Sequence, residues 1–96
     1  MLVLITYDVD TTTKAGEKRL RKVAKTCVNY GQRVQNSVFE CLVTEAQFIG
    51  LKANLEAIIN NTTDSIRFYF FGKNWQRRIE KIGKSTSYDL TDTLII

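Results

Sequence analysis

The chain has no histidine and no proline, and only two cysteines and five glycines among its 96 residues. Without histidine, neither a zinc site nor a Cys–His nucleophile pair forms within one chain. Cys27 and Cys41 have no CxxC spacing and fall at apolar positions, so both read as buried thiols in a reducing compartment. With so little glycine and no proline, no stretch reads as a flexible linker or low-complexity tract, and no internal repeat is evident. Long hydrophobic runs are also missing. The apolar start Met1-Leu2-Val3-Leu4-Ile5 lacks a positive flank and gives way at once to Tyr7-Asp8, unlike a signal peptide. Nothing approaches the roughly 20 apolar residues of a membrane span. A cytoplasmic protein without a membrane partner is expected.

What is present is ordinary globular composition, 44% apolar and 25% charged, which argues against disorder. The length suits one domain over residues 1–96. The net charge of +4 is unevenly spread. Lys14, Lys18, Arg19, Arg21, Lys22, Lys25 and Arg33 are half of the 14 basic residues, and Glu17 is the one acid among them.

Periodicity divides the chain. Leu2 to Val9 is β-branched, apolar and short, a buried strand. Asp10-Thr11-Thr12-Thr13 is a cap-prone loop. From Lys14 to Tyr30, Leu20, Val23, Ala24 and Cys27 form an apolar stripe at helical spacing, while Lys14, Lys18, Arg21, Lys22 and Lys25 project oppositely. Gly31 reads as the glycine that ends this helix. Arg33 to Val43 reads as two extended segments hinged near Asn36-Ser37. Thr44 and Gln47 have capping-box spacing, and Phe48, Leu51, Leu55, Ile58 and Ile59 share one face of the helix that follows. Asn60 to Asp64 breaks it, and Ser65 to Phe71 is the clearest strand. The order β-α-β-β-α-β predicts an α+β, ferredoxin-like sandwich with two helices on one face of an antiparallel sheet. Arg77 to Gly83 and Asp89 to Ile96 are left over as extra C-terminal strand material. Segment 77–96 is expected to pack on the edge of a second copy in a homodimer, with folding back onto its own sheet as the alternative.

Asp8 carries the candidate chemistry. Strand alternation puts Leu2, Leu4, Thr6 and Asp8 on one side. A carboxylate at a strand mouth beside a basic helix suits a hard cation such as Mg²⁺, which takes oxygen ligands and often only one or two carboxylates. Such an ion polarises a phosphodiester and activates water. The alternative is that Asp8 merely ends the strand or caps the helix, and Asp10 has the stronger claim to a turn role. The basic helix face, with Arg19, suits phosphate contacts that give affinity without reading sequence, or is simply solvated. Arg77 and Arg78 beside Trp75 add a second basic patch, unless the tryptophan is core. In Gln35-Asn36-Ser37-Val38-Phe39-Glu40, Ser37 at the bend can hold a water or phosphate oxygen. Phe39 reads as core, and Glu40 reads as a partner for a nearby cation. Nothing beside Ser37 in sequence activates it as a nucleophile.

Taken together, Tyr7-Asp8-Val9 at the strand end, Arg19-Leu20-Arg21-Lys22-Val23 in the basic helix, and Tyr30-Gly31 leading through Arg33-Val34-Gln35 into Ser37-Val38-Phe39-Glu40 resemble the CRISPR-associated protein two family, small proteins of CRISPR spacer acquisition. The resemblance runs from Met1 to about Phe71. It implies a ferredoxin-like homodimer whose C-terminal strands cross to the partner. It also implies that Asp8 faces its copy across the two-fold axis, holding one divalent ion, Mg²⁺ or alternatively Mn²⁺. Tyr7, Arg33, Ser37 and Phe39 match positions tied to activity or to the surroundings of that site. The implied activity is metal-dependent endonucleolytic cleavage of single-stranded RNA or double-stranded DNA. The implied alternative is a non-catalytic DNA-binding scaffold that bridges dimers of the larger acquisition integrase. Outside the family, the same fold also serves small-molecule-binding regulatory domains.

Overall fold

The computed structural model describes residues 1–72 and 78–84. Their elements are β1 (Leu2–Asp8), α1 (Lys14–Val28), β2 (Gly31–Gln35), β3 (Val38–Leu42), α2 (Glu45–Ile58), β4 (Ser65–Phe71) and β5 (Arg78–Gly83). The strands form one antiparallel sheet in the order β2-β3-β1-β4-β5. The first four strands and two helices make the expected ferredoxin-like sandwich.

β1 is central because it is apolar on both faces and is paired on both edges. Ile5 lies opposite Phe39 on one side and Phe68 on the other. Val3, Ile5 and Tyr7 turn inward with Phe39, Cys41, Ile66 and Phe68. Val23 and Cys27 of α1 and Phe48, Leu51 and Leu55 of α2 close over them. Phe39 and Phe68 are completely buried, so truncating either to alanine costs about 3–5 kcal/mol. The Phe48 ring stands edge-on to Phe68, centroids 5.2 Å apart, an arrangement aromatic quadrupoles favour.

Local chemistry sets the element ends. The Thr13 hydroxyl accepts the Gly16 amide at 3.0 Å and starts α1. The capping box at α2 is complete: the Gln47 amide donates to the Thr44 hydroxyl and the Thr44 amide to Gln47 Oε1, at 3.1 and 2.8 Å. One expectation fails. Gly31 does not end α1, which stops at an Asn29 cap in right-handed conformation. Gly31 instead opens β2, where a Cβ would collide with the Glu40 carbonyl and Cys41 on β3. Close backbone approach, not a left-handed cap, is what requires glycine there.

Among the described residues, no helix lies on the opposite sheet face. Leu42, Leu2 and Phe71 lie side by side across β3, β1 and β4, all exposed, Leu42 by 77%. Further along, the same face becomes polar and ends at Asp8, whose cross-strand neighbour is Ser65. Of the tail, Arg78–Gly83 pairs with β4 of its own chain, the alternative that the sequence left open. Residues 85–96, and Trp75 and Arg77 with their suggested patch, lie outside the described residues.

Candidate active site and nucleic-acid surface

The residues singled out around the end of β1 divide between the two faces of the sheet. Tyr7 is buried on the helix side, and its hydroxyl donates to the Asn36 carbonyl at 3.1 Å. Its amide donates to the Ser37 carbonyl, also at 3.1 Å. Tyr7 therefore staples the β2–β3 turn to the strand end through both side chain and backbone. The Phe39 ring lies 6.1 Å from the Tyr7 ring, and the Arg33 guanidinium sits 5.3 Å from the Phe39 centroid, a cation–π contact. Burial raises the Tyr7 phenol above its usual 10.0, with the Arg33 charge pulling it down. Tyr7, Arg33, Phe39 and the Ser37 turn thus come together as one cluster. Asp8 does not join it. It projects onto the helix-free face, exposed to solvent.

Among the described residues, little else is brought to Asp8. Asp10 closes its own turn, its carboxylate accepting the Thr12 amide at 2.9 Å and the Thr12 hydroxyl at 2.7 Å. The Thr12 amide and hydroxyl hold its carboxyl below the usual range, and the expected turn role is met. Among the described residues, no cluster of three or more His, Cys, Asp or Glu could hold a metal. Among the described residues, Asp8 stands as a single exposed oxygen donor. That fits a cation that keeps most of its waters and draws a second carboxylate from elsewhere.

Sequence reasoning missed Asp64, which is fully buried. Its Oδ2 takes Arg19 Nε at 2.8 Å and the Asn60 amide at 2.9 Å, and its Oδ1 takes the Asp10 amide and the Thr63 hydroxyl, both at 3.0 Å. Burial alone pushes the Asp64 pKa up. Arg19, the Asn60 and Asp10 amides and the Thr63 hydroxyl outweigh it and leave the carboxyl below its usual 3.8. Asp64 lies 45 residues from Arg19, at the end of a segment that reads only as a helix breaker, so nothing local signals the pair.

This pair corrects the reading of Arg19. Its guanidinium is turned inward to neutralise a buried carboxylate, and it is not part of the outward basic face. Lys14, Lys18, Arg21, Lys22 and Lys25 are all exposed along α1 and keep the surface expected of them. Arg78 is likewise committed. It donates to Glu80 at 2.8 Å and Glu45 at 3.0 Å and lies 3.9 Å over the Phe70 ring. Lys52 also holds Glu80, at 2.8 Å. This network clasps α2 to β5. Glu40 is exposed on β3, and the ion pairs among the described residues do not include it.

A family model described as CRISPR associated protein Cas2 matches residues 1–79. The chain belongs to the Cas2 family. Two relatives align over essentially the whole length. The CRISPR-associated endonuclease Cas2 of Halalkalibacterium halodurans is 57% identical, covering 99% of each chain. The CRISPR-associated endoribonuclease Cas2 of Chlorobaculum tepidum is 56% identical, covering 100% of each. Among solved structures, the crystal structure of Streptococcus pyogenes Cas2 at pH 6.5 is 67% identical, with a TM-score of 0.72. The match covers 86% of this chain and 100% of that one. The Cas2 match includes β1 with Asp8, the basic helix and the Tyr7–Arg33–Phe39 cluster.

Proposed function

We propose that this Cas2-family chain is an endonuclease of CRISPR spacer acquisition that hydrolyses phosphodiester bonds of single-stranded RNA or double-stranded DNA as a cytoplasmic homodimer. The observation that carries the reading is the position of Asp8: an exposed carboxylate at the polar end of a helix-free sheet face whose other end is the apolar row Leu42, Leu2 and Phe71. A second copy covering that face buries the row and brings a second Asp8 to the first. The names of the two full-length relatives, endonuclease and endoribonuclease, support the nuclease activity.

In this reading the two Asp8 carboxylates hold a Mg²⁺ or Mn²⁺ ion, which when bound supplies charge neutralisation at the scissile phosphate. The chain's own residues do the remainder. Lys14, Lys18, Arg21, Lys22 and Lys25 hold the phosphate backbone through long-range charge. Tyr7 fixes the β2–β3 turn and with it Ser37, whose hydroxyl positions a water or phosphate oxygen. Arg33, packed on Phe39, keeps a cation beside the same turn. The larger acquisition integrase is the proposed protein partner.

The test is cleavage of double-stranded DNA and single-stranded RNA with Mg²⁺, Mn²⁺ or EDTA, for wild type and Asp8→Ala in parallel. Metal-dependent cutting lost in the variant, with the dimer intact by light scattering, is the expected result. Cutting that survives Asp8→Ala, or none in wild type, would overturn it in favour of a DNA-holding adaptor.

A further inference from the structure

Asp64 is the one charged side chain fully buried among the described residues, and its contacts converge on the end of β1. Asp8 is the last residue of β1, and its cross-strand neighbour is Ser65, the residue directly after Asp64. Two residues beyond Asp8, the Asp10 amide donates to Asp64 Oδ1. The Asp8 backbone is therefore bracketed by Asp64 on both sides, through its β4 neighbour and through its own chain. The opposite oxygen is fixed by Arg19 from α1 and by the Asn60 amide. The Asp64 carbonyl in turn accepts the Lys84 amide at 2.7 Å, just after Gly83, whose φ of 90° and nearness to that carbonyl exclude a side chain. Four segments meet at one residue: the β1–α1 loop, α1, the α2–β4 turn and the exit of β5.

We propose that Asp64 is a positioning residue for Asp8, fixing the end of β1 through the Asp10 amide and Ser65 so that the Asp8 carboxylate is held at one place on the open face. The inference rests on the reading that Asp8 acts in cleavage. The chemistry calls for a carboxylate. Two oxygens offer enough lone pairs for four donors. An asparagine offers one oxygen, and its amide would point hydrogens at groups that are themselves donors. Ion binding and cleavage are sensitive to such support: losing the groups that orient a ligand typically costs about 10- to 100-fold in metal affinity or activity.

The experiment compares full-length wild type, Asp64→Asn and the milder Thr63→Val, which removes one donor and leaves the carboxylate and Arg19 in place. Four quantities are read on protein shown to be folded by circular dichroism: amide exchange at Asp8, Mn²⁺ affinity by electron paramagnetic resonance, and kcat and KM for cleavage. The expected result is faster exchange at Asp8, Mn²⁺ affinity and kcat lowered about 10- to 100-fold in Asp64→Asn and less in Thr63→Val, and KM for nucleic acid unchanged. If Asp64→Asn does not fold, Thr63→Val decides by the same signs. Wild-type Mn²⁺ affinity in a folded variant, with exchange at Asp8 sped up no more than at the core amides of β1, overturns the proposal, because a merely structural residue lowers stability across the sheet alike and leaves ion binding alone. Wild type that neither cleaves nor binds Mn²⁺ overturns the nuclease reading instead, and exchange at Asp8 then decides the positioning claim alone.

Discussion

Tyr7 and Asp8 are neighbours in the chain and leave β1 on opposite faces of the sheet. Tyr7 is buried beneath the helices with its hydroxyl donating to the Asn36 carbonyl, and Asp8 is exposed on the open face beside Ser65. The two residues should therefore respond differently to substitution. Tyr7→Phe removes one hydrogen bond and should cost about 0.5–1.5 kcal/mol of stability, measured by urea unfolding. Asp8→Asn should leave stability within about 0.5 kcal/mol while abolishing metal-dependent cleavage. A large loss of stability in Asp8→Asn would mean that the carboxylate is structural.

Arg19 and its neighbours on α1 separate fold from binding. Arg19→Ala leaves the buried Asp64 charge without its cation and should destabilise the chain by about 3 kcal/mol or more. Lys18→Ala and Lys22→Ala remove exposed charges and should leave the melting temperature nearly unchanged. Instead they should weaken nucleic-acid binding and flatten the dependence of log K on log salt by about 0.9 for each phosphate that is no longer neutralised. An unchanged slope in the lysine variants would show that the basic face is only solvated.

The pH dependence of stability follows from Asp64. Its folded pKa lies below the usual carboxylate value of 3.8, so folding favours the ionised form. The contribution is complete above the unfolded pKa and is lost as pH falls through the folded one. Wild-type stability should thus decline below about pH 4, and in Asp64→Asn, already less stable at neutral pH, that decline should be shallower. Equally steep acid unfolding in the two proteins would assign the transition to other carboxyls.

Both cysteines are buried, and burial pushes Cys27 up to about 12 and Cys41 to about 11. Thiolate is the reactive form, so neither should react with iodoacetamide at about pH 8 until the chain unfolds. Mass spectrometry across a urea series should show labelling that tracks unfolding. Fast labelling of native protein would contradict the burial.

Periodicity was enough to read most of the elements. The apolar stripe of α1, the Thr44–Gln47 box and the alternation that separates Tyr7 from Asp8 are local patterns, and local patterns survive in a linear string. Gly31 misled because a glycine after a helix commonly caps it. Only the approach of β3 shows that this one admits a neighbouring strand where a Cβ would collide. Arg19 misled for a related reason. On a helix dense in lysine and arginine it looks like one more outward charge, and its inward turn depends on a carboxylate 45 residues away.

The sequence by itself determined the order of strands and helices, the two faces of β1, the apolar faces of α1 and α2, the family pattern around Asp8 and the basic character of α1. These follow from side-chain spacing and charge, which act over a few residues. Only the tertiary structure decided which charges remain outward. Desolvation makes a buried carboxylate costly unless donors surround it, and the donors to Asp64 come from Arg19, Asn60, Asp10 and Thr63, which only the folded chain brings to one point.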